Sequence, residues 1–457
     1  MNDSSSTVSS LIHRKDVQSL KEVLSTFSGF EVAELLANKT EENQVFIFSL
    51  LEPHLAAETF EYLSLKTQKM ILDSLPSPLL ASMLTEMSPD DRTALLEDLP
   101  RTTVDEYIKL LPNKERTLAL TLLGYPEESV GRLMTTDYIA VKMTWTIERV
   151  LEQIREYGHY SEAVNVLYAI DEKDALIGEI QIQELFFAPK GSNVSQIVDY
   201  KFIALQDMDK AQEAIDLFKL HDRVALPVVD EEGILLGIVT IDDILRLSSQ
   251  KNTETLQKVG GSEALDEPYM ETPFFELIKK RARWLVLLFA GEMLTASAMA
   301  FFEAEIAQAV VLALFLPLII SSGGNAGSQS STLIIRAMAL DEIKTADWWK
   351  VMKREASTGL FLGFILGVIG FFRVAIWGTA SSIYGEHWFL IAATLFFSLI
   401  GVVFWGSFTG SMLPLILKKL NADPATSSAP LVATLVDVTG IVIYFLIAMF
   451  FLRGSLL

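Results

Sequence analysis

Residues 317–339 read PLIISSGGNAGSQSSTLIIRAMA. The stretch is apolar at both ends and long enough to cross a bilayer, which takes about 20 residues. Its middle, Ser321–Ser331, is a run of small and polar residues. Irregular backbone at membrane depth is tolerated only where it is buried in protein or lines a wet cavity. The run therefore reads as a break in a membrane span, and Pro317 just before it as a kink. Four more apolar stretches flank it. The expected spans are 284–302, 308–338, 356–378, 388–417 and 425–452.

Upstream of these spans the character changes. The chain has 457 residues and a net charge of −21. From Arg281 onward 11 basic residues balance 10 acidic ones, whereas residues 1–280 hold 26 against 48. An acidic, soluble-looking front half thus joins a nearly neutral membrane half. That front half argues against nucleic-acid binding, which needs clustered Lys and Arg. The absence of cysteine excludes disulfides, thiolate metal sites and cysteine nucleophiles. The polar opening MNDSSSTVSS does not read as a signal peptide. Basic residues before the first span (Lys279, Lys280, Arg281, Arg283), between spans two and three, and at Lys418 and Lys419 place residues 1–280 in the cytoplasm and the C-terminus outside.

Ionisable residues inside a span are expensive and ask for a reason. Asp437 is the foremost case. Counted from Pro424 as a helix start, it lies about 20 Å along the last span, near mid-bilayer. Small and polar residues surround it in sequence: Ser427, Ser428, Ala433, Thr434, Thr439 and Gly440. Glu292 in the first span stays open between a structural and a functional role. Glu303, Glu305 and Glu386 read as a solvated outer rim.

Residues 11–130 read as short helices with apolar residues at three- and four-residue spacing. They are punctuated by Leu75-Pro76, Ser88-Pro89, Leu99-Pro100 and Leu111-Pro112, which suggests a stacked helical array. Residues 130–250 contain two similar halves, in which Val130 aligns with Val194 and Gly178 with Gly237. Each half holds a lead-in segment, a helix, two strands around an acidic turn, and a second helix.

The second half, with LPVVDEEGILLGIVTIDDIL at 226–245, resembles a cystathionine-β-synthase-type (CBS) domain, and the first half its degenerate partner. A CBS pair followed by five spans resembles the MgtE family of magnesium channels. The run at 317–339 and DPATSSAPLVATLVDVTG at 423–440 are similar to that family's membrane motifs. The resemblance implies a multi-domain membrane protein. It would comprise an all-α cytoplasmic domain (1–129), an α+β tandem CBS pair (130–192 and 193–249), a connecting helix (250–281) and a five-helix pore domain (282–457). It implies a homodimer in a bacterial inner membrane, with the pore between the two copies. Asp437 and the Ala433 carbonyl would hold hydrated Mg²⁺, which sheds water reluctantly. Asn325, Gly324, Gly327 and Gly440 would line the path, and Ala429 replaces the asparagine that the family often has before its Pro-Leu-Val-Ala-Thr run.

The resemblance further implies that cytoplasmic Mg²⁺ closes the pore by bridging acidic faces. Glu58, Asp90, Asp91, Asp222, Asp243, Glu254 and Asp423 are the metal-binding carboxylates expected from it. Ala94, Gln212, Arg246, Lys251 and Thr255 stand where the family has acids, so gating by internal Mg²⁺ is expected to be weaker than in a typical member. Arg223 stands at the family's adenine-stacking position, which argues against nucleotide binding. The competing readings are a channel for Mn²⁺ or Co²⁺, and a membrane sensor that does not transport. An enzyme is disfavoured. There is no GxxxxGK[ST] loop, HExxH or GxSxG, and His13, His54, His159, His221 and His387 are scattered.

Overall fold

The computed structural model describes residues 16–270, 272–340, 342–380 and 386–456, together with residues 8, 10–12, 14 and 384; His13 lies outside them. The chain divides into two compact units, residues 1–249 and 250–457.

From Val17 onward, the described residues of the first unit run through nine short helices: α1 (Val17–Leu24), α2 (Gly29–Ala37), α3 (Glu41–Phe48), α4 (Pro53–Glu61), α5 (Leu65–Ser74), α6 (Ser77–Glu86), α7 (Pro89–Glu97), α8 (Arg101–Leu110) and α9 (Asn113–Gly124). Their length follows from the punctuation. A residue before proline is pushed out of the helical region. Leu75 and Leu111 accordingly end their helices in extended conformation, while Pro76, Pro100 and Pro112 begin the next ones. Ser28, Ser64 and Ser88 cap α2, α5 and α7 through their hydroxyls. Alternate helices pack on each other, α2 on α4, α4 on α6 and α3 on α5, around one apolar core. This is the stacked array that the spacing predicts.

After the single turn α10 (Val130–Leu133) come two three-stranded sheets. The first has strands β1 (Ala140–Lys142), β2 (Val166–Ile170) and β3 (Leu176–Gln181), with helices α11 (Ile147–Tyr157) and α12 (Ile182–Phe187). The second has β4 (Leu205–Gln206), β5 (Ala225–Val229) and β6 (Leu235–Thr240), with α13 (Ala211–Leu220) and α14 (Ile241–Val259). In each sheet the first pair is parallel and the second antiparallel. The repeat noticed in the sequence acquires a physical reason. The lead-in of each half pairs with the sheet of the other, Thr135 with Ile238 and Asp199 with Glu179. A Cβ at Gly178 or Gly237 would meet the carbonyl oxygen of Asp199 or Thr135 at 2.5 Å. Glycine at the aligned positions makes this exchange possible.

The second unit holds α15 (Phe274–Phe301), α16 (Glu303–Gln308), α17 (Val310–Ala313), α18 (Leu316–Ala339), α19 (Trp348–Ala380), α20 (Trp388–Lys419) and α21 (Ala429–Leu452). Among the described residues, five helical segments are long and apolar enough to cross a membrane, close to the spans expected. Three expectations need correction. First, the run SSGGNAGSQSS is not a break: α18 is a continuous helix across it. Its glycines serve close packing instead. A Cβ on Gly406 or Gly410 of α20 would collide with the carbonyl oxygens of Gly323 and Gly327. The two Gly-x-x-x-Gly faces cross at backbone contact, as small-residue faces do in membranes. Pro317 sits in the first turn of α18, where its missing N–H costs nothing. Second, residues 250–281 are not one helix. The helix ends at Val259, Gly261 adopts the left-handed region at φ 76°, and α15 starts at Phe274 after Pro273. Third, Pro424 belongs to a separate 3₁₀ turn, so α21 starts at Ala429. Asp437 then lies about 12 Å into its helix rather than 20.

Candidate functional site

Two constellations stand out, one in each unit. In the membrane unit the serines of α18 fix the start of α21. Ser328 donates to the Ala429 carbonyl at 3.0 Å and Ser331 to that of Ser427 at 2.8 Å. The Trp284 indole of α15 donates to Ser428 at 3.2 Å, and Trp405 of α20 to Thr439 at 2.9 Å. These bonds hold α21 against three neighbours and set where Asp437 points. Gly324 of α18 faces it: a Cβ there would lie 3.3 Å from Asp437 Oδ1 and 3.5 Å from Ala433 Cβ. On the same helix Ser321, Asn325 and Gln329 recur at four-residue spacing and are exposed, with Asn325 donating to Ser321 at 3.3 Å. A membrane-depth face of carboxylate, amides and hydroxyls cannot rest against hydrocarbon. It needs water, an ion or another polar protein surface. Gly327 is buried at the α20 crossing, and Gly440 packs toward Val402. Neither glycine is on the exposed stripe.

The soluble unit gathers acids from distant parts of the chain. Asp90 and Asp91 lie in the first turn of α7, and Asp243 in the first turn of α14. A ligand oxygen from each lies within 4.8 Å of the others. Asp90 is buried, and its Oδ1 has no hydrogen-bond partner among the described residues. Burial pushes its carboxyl well above the usual range, and Glu162, Asp243 and Asp91 add to this. Burial also raises Asp243. Glu61 is pushed up to about 8, by burial and then by Asp91. Glu162 keeps an open side, yet loss of water around its carboxyl, with Asp243 and Asp91 beside it, raises it to about 8. Among the described residues, Arg246 is the base ion-paired to these acids. Arg246 donates to Asp91 Oδ1 at 3.0 Å and to Asp243 Oδ1 at 3.2 Å. The centre has the oxygen chemistry of a hard divalent cation, with a guanidinium at two of its carboxylates.

Sequence comparisons cover both units. The profile of the divalent cation transporter domain MgtE matches residues 316–447, that of the MgtE intracellular N domain residues 30–128, and that of the CBS domain residues 130–191 and 194–250. The magnesium transporter MgtE of Thermus thermophilus is 33% identical over 442 residues, covering 96% of both chains. The chain belongs to the MgtE family of magnesium transporters. The Bacillus subtilis MgtE is 26% identical, covering 97% of this chain and 96% of that one. A crystal structure of the cytosolic domain of the Mg²⁺ channel MgtE in complex with ATP aligns with 53% of this chain and 99% of its own, at 30% identity and a TM-score of 0.51. As a multi-pass member of a transporter family, the chain is not an enzyme, and Mg²⁺ is the family's transported ion.

Within this MgtE chain the other expected metal ligands are dispersed. Glu58 accepts from the backbone N–H of Gly29 at 3.0 Å, at the N-terminus of α2, where a carboxylate is favoured by the helix dipole. Asp222 is exposed in the turn before β5. Glu254 and Asp423 share Lys258, at 2.6 and 2.8 Å. Arg223 pairs with the buried Glu179 beside the buried, unpartnered Tyr168 hydroxyl. Sequence reading missed Glu61 and Glu162, which only the fold brings near Asp91. It also missed Glu355, which accepts from Ser330 at 2.7 Å and was left just outside the third span.

Proposed function

We propose that this chain conducts Mg²⁺ passively across a bacterial inner membrane as a homodimer. The observation that carries the reading is the exposed polar stripe of α18, Ser321, Asn325 and Gln329, beside the half-buried Asp437 of α21. A second copy related by a two-fold axis would close that face into a path lined by polar groups from both chains. Mg²⁺ holds its waters tightly, so a sparse set of carboxylates and carbonyls that reads the hydrated ion suits it better than a full protein cage. Asp437 and the Ala433 carbonyl are the proposed site. The basic residues beside the spans favour cytoplasmic placement of residues 1–280.

The same reading makes the acidic centre at Asp90, Asp91 and Asp243 the cytoplasmic Mg²⁺ sensor. Repulsion among crowded carboxylates favours an open arrangement, and bound cations cancel it. In this chain Arg246 and Lys258 already cancel part of it, which supports gating weaker than an all-acid sensor would give.

The test is Mg²⁺ influx into liposomes containing the purified chain, wild type beside Asp437→Ala, with internal Mg²⁺ varied. Wild-type flux, its loss or loss of selectivity in the variant, and shallow inhibition by internal Mg²⁺ are expected. Equal flux in the variant would discard the site. Steep shut-off at low internal Mg²⁺ would discard the weakened sensor.

A further inference from the structure

We propose that Glu292 of α15 is a second carboxylate of the transmembrane ion site, so that each chain presents two acids to the passing ion. The inference rests on reading Asp437 as that site.

The geometry begins with a helix contact. Gly291 of α15 abuts Thr434 of α21: a Cβ at Gly291 would lie 2.6 Å from the Thr434 side chain. That approach needs glycine. It sets the next residue, Glu292, beside the residue one turn beyond Thr434, which is Asp437. The two carboxyl groups interact directly. The Trp284–Ser428 bond ties the same two helices nearer their cytoplasmic ends and fixes their register. No basic side chain is bonded to either acid among the described residues, in contrast to the sensor acids held by Arg246 and Lys258.

Glu292 is exposed on the chain surface, on a helix otherwise rich in exposed Leu, Val, Phe and Met. A carboxylate there cannot rest against hydrocarbon. The direction that offers it compensation is toward Asp437 and the polar stripe Ser321, Asn325 and Gln329. When both carboxyls are ionised they repel each other, and with no base bonded to either among the described residues, a cation between them relieves that repulsion. In a two-copy assembly the site then carries four carboxylates, twice the charge of one divalent ion. The added acids strengthen the field on a hydrated ion without requiring it to lose water. Glu292 thus sets how tightly the path holds its ion.

The experiment uses the full chain in liposomes and two probes, Mg²⁺ itself and hexaamminecobalt(III), a non-exchanging mimic of a hydrated ion with charge +3. Glu292→Gln is expected to raise half-saturating Mg²⁺ by about tenfold. Electrostatic loss scales with the ion's charge, so block by hexaamminecobalt should weaken more, by about thirtyfold. Glu292→Asp keeps the charge and should stay within about threefold of wild type in both. Unchanged saturation and block in Glu292→Gln, with flux still lost in Asp437→Ala, would overturn the role of Glu292 and leave the Asp437 site standing. Unchanged flux in Asp437→Ala would remove both. Equal losses in the Gln and Asp variants, or equal fold-changes for the two ions, would mean packing rather than charge and would also overturn it.

Discussion

Removing the guanidinium of Arg246 tests the claim that a fixed base stands in for a mobile cation. Arg246 makes two charge-assisted bonds, 3.0 Å to Asp91 and 3.2 Å to Asp243. Its own side chain is 46% exposed and its partners 14%, so solvent screens the pairs in part. Exposed ion pairs contribute about 0.2–1 kcal/mol each, and these sit toward the upper end. Arg246→Ala should therefore cost about 1–2 kcal/mol in metal-free buffer. The deletion also frees two carboxylates beside the unpartnered oxygen of Asp90, which should strengthen binding of a divalent ion there. A ligand at ten times its dissociation constant stabilises by about 1.4 kcal/mol, enough to offset the loss. The assay is thermal unfolding of the purified full chain with EDTA and across a Mg²⁺ titration. In EDTA the variant should melt a few degrees below wild type, since about 1 kcal/mol corresponds to roughly 2–4 °C at this unit size. In millimolar Mg²⁺ the gap should close, with the Mg²⁺ midpoint moved to lower concentration than in wild type. A gap unchanged by saturating Mg²⁺, or an unmoved midpoint, would refute the reasoning. In flux measurements the same variant should shut off more steeply with internal Mg²⁺.

Protons should act on the sensor as weak substitutes for Mg²⁺. Glu61 and Glu162 are raised to about 8, so the stability they contribute is full below their unfolded values and is lost as pH climbs through about 8. Metal-free protein should melt at lower temperature as pH rises over roughly 4.5 to 8, with Mg²⁺ rescuing most at the alkaline end; a metal-free melting temperature that rises with pH over that window would contradict this. Lys258→Met leaves Glu254 and Asp423 facing each other without a base, so Mg²⁺ should then slow amide exchange around residues 254–262 and 423–428 in the variant and not in wild type. Gly410→Val drives a branched side chain into the Gly327 carbonyl, and overpacking of this kind costs about 1–3 kcal/mol or more. The expected readout is loss of the folded species on size exclusion, and a normal elution profile would show that the crossing is not tight.

Which parts of this fold could be read in advance depended on whether the signal was local. Span number came from apolar length, and the short helices of the soluble unit from prolines that stop one helix and start the next. The repeat was visible because Gly178 and Gly237 answer the same steric demand in both halves. The misreading of SSGGNAGSQSS has a specific cause. Glycines that break a helix and glycines that let two helices touch look alike along a single segment. What separates them is a partner, and the partner was present in the sequence as Gly406-Ser-Phe-Thr-Gly410. The acidic centre was half legible. Asp90, Asp91 and Asp243 sit in first turns of helices, but Glu61 and Glu162 join them only through tertiary packing. Arg246 stands where the family has an acid, and only its geometry shows that it bridges two remaining acids.

That bridge gives a physical distinction between the two kinds of carboxylate site in this chain. Asp91 with Asp243, and Glu254 with Asp423, are each joined by one side-chain cation that cannot leave. A tethered base neutralises at fixed local concentration, so its effect is independent of the ions in solution. Among the described residues, no such base is bonded to Asp437 or Glu292. A tethered cation there would occupy the place of the transported ion and, by matching its charge, remove the reason for it to enter. On the proposed reading, the path must keep its acids uncompensated to attract an ion and release it, while the sensor can trade a mobile cation for a fixed one and still hold together. What the sensor gives up in that trade is range. The more of its charge is cancelled by Arg246 and Lys258, the less repulsion remains for Mg²⁺ to relieve, and the smaller the difference between Mg²⁺-rich and Mg²⁺-poor states becomes.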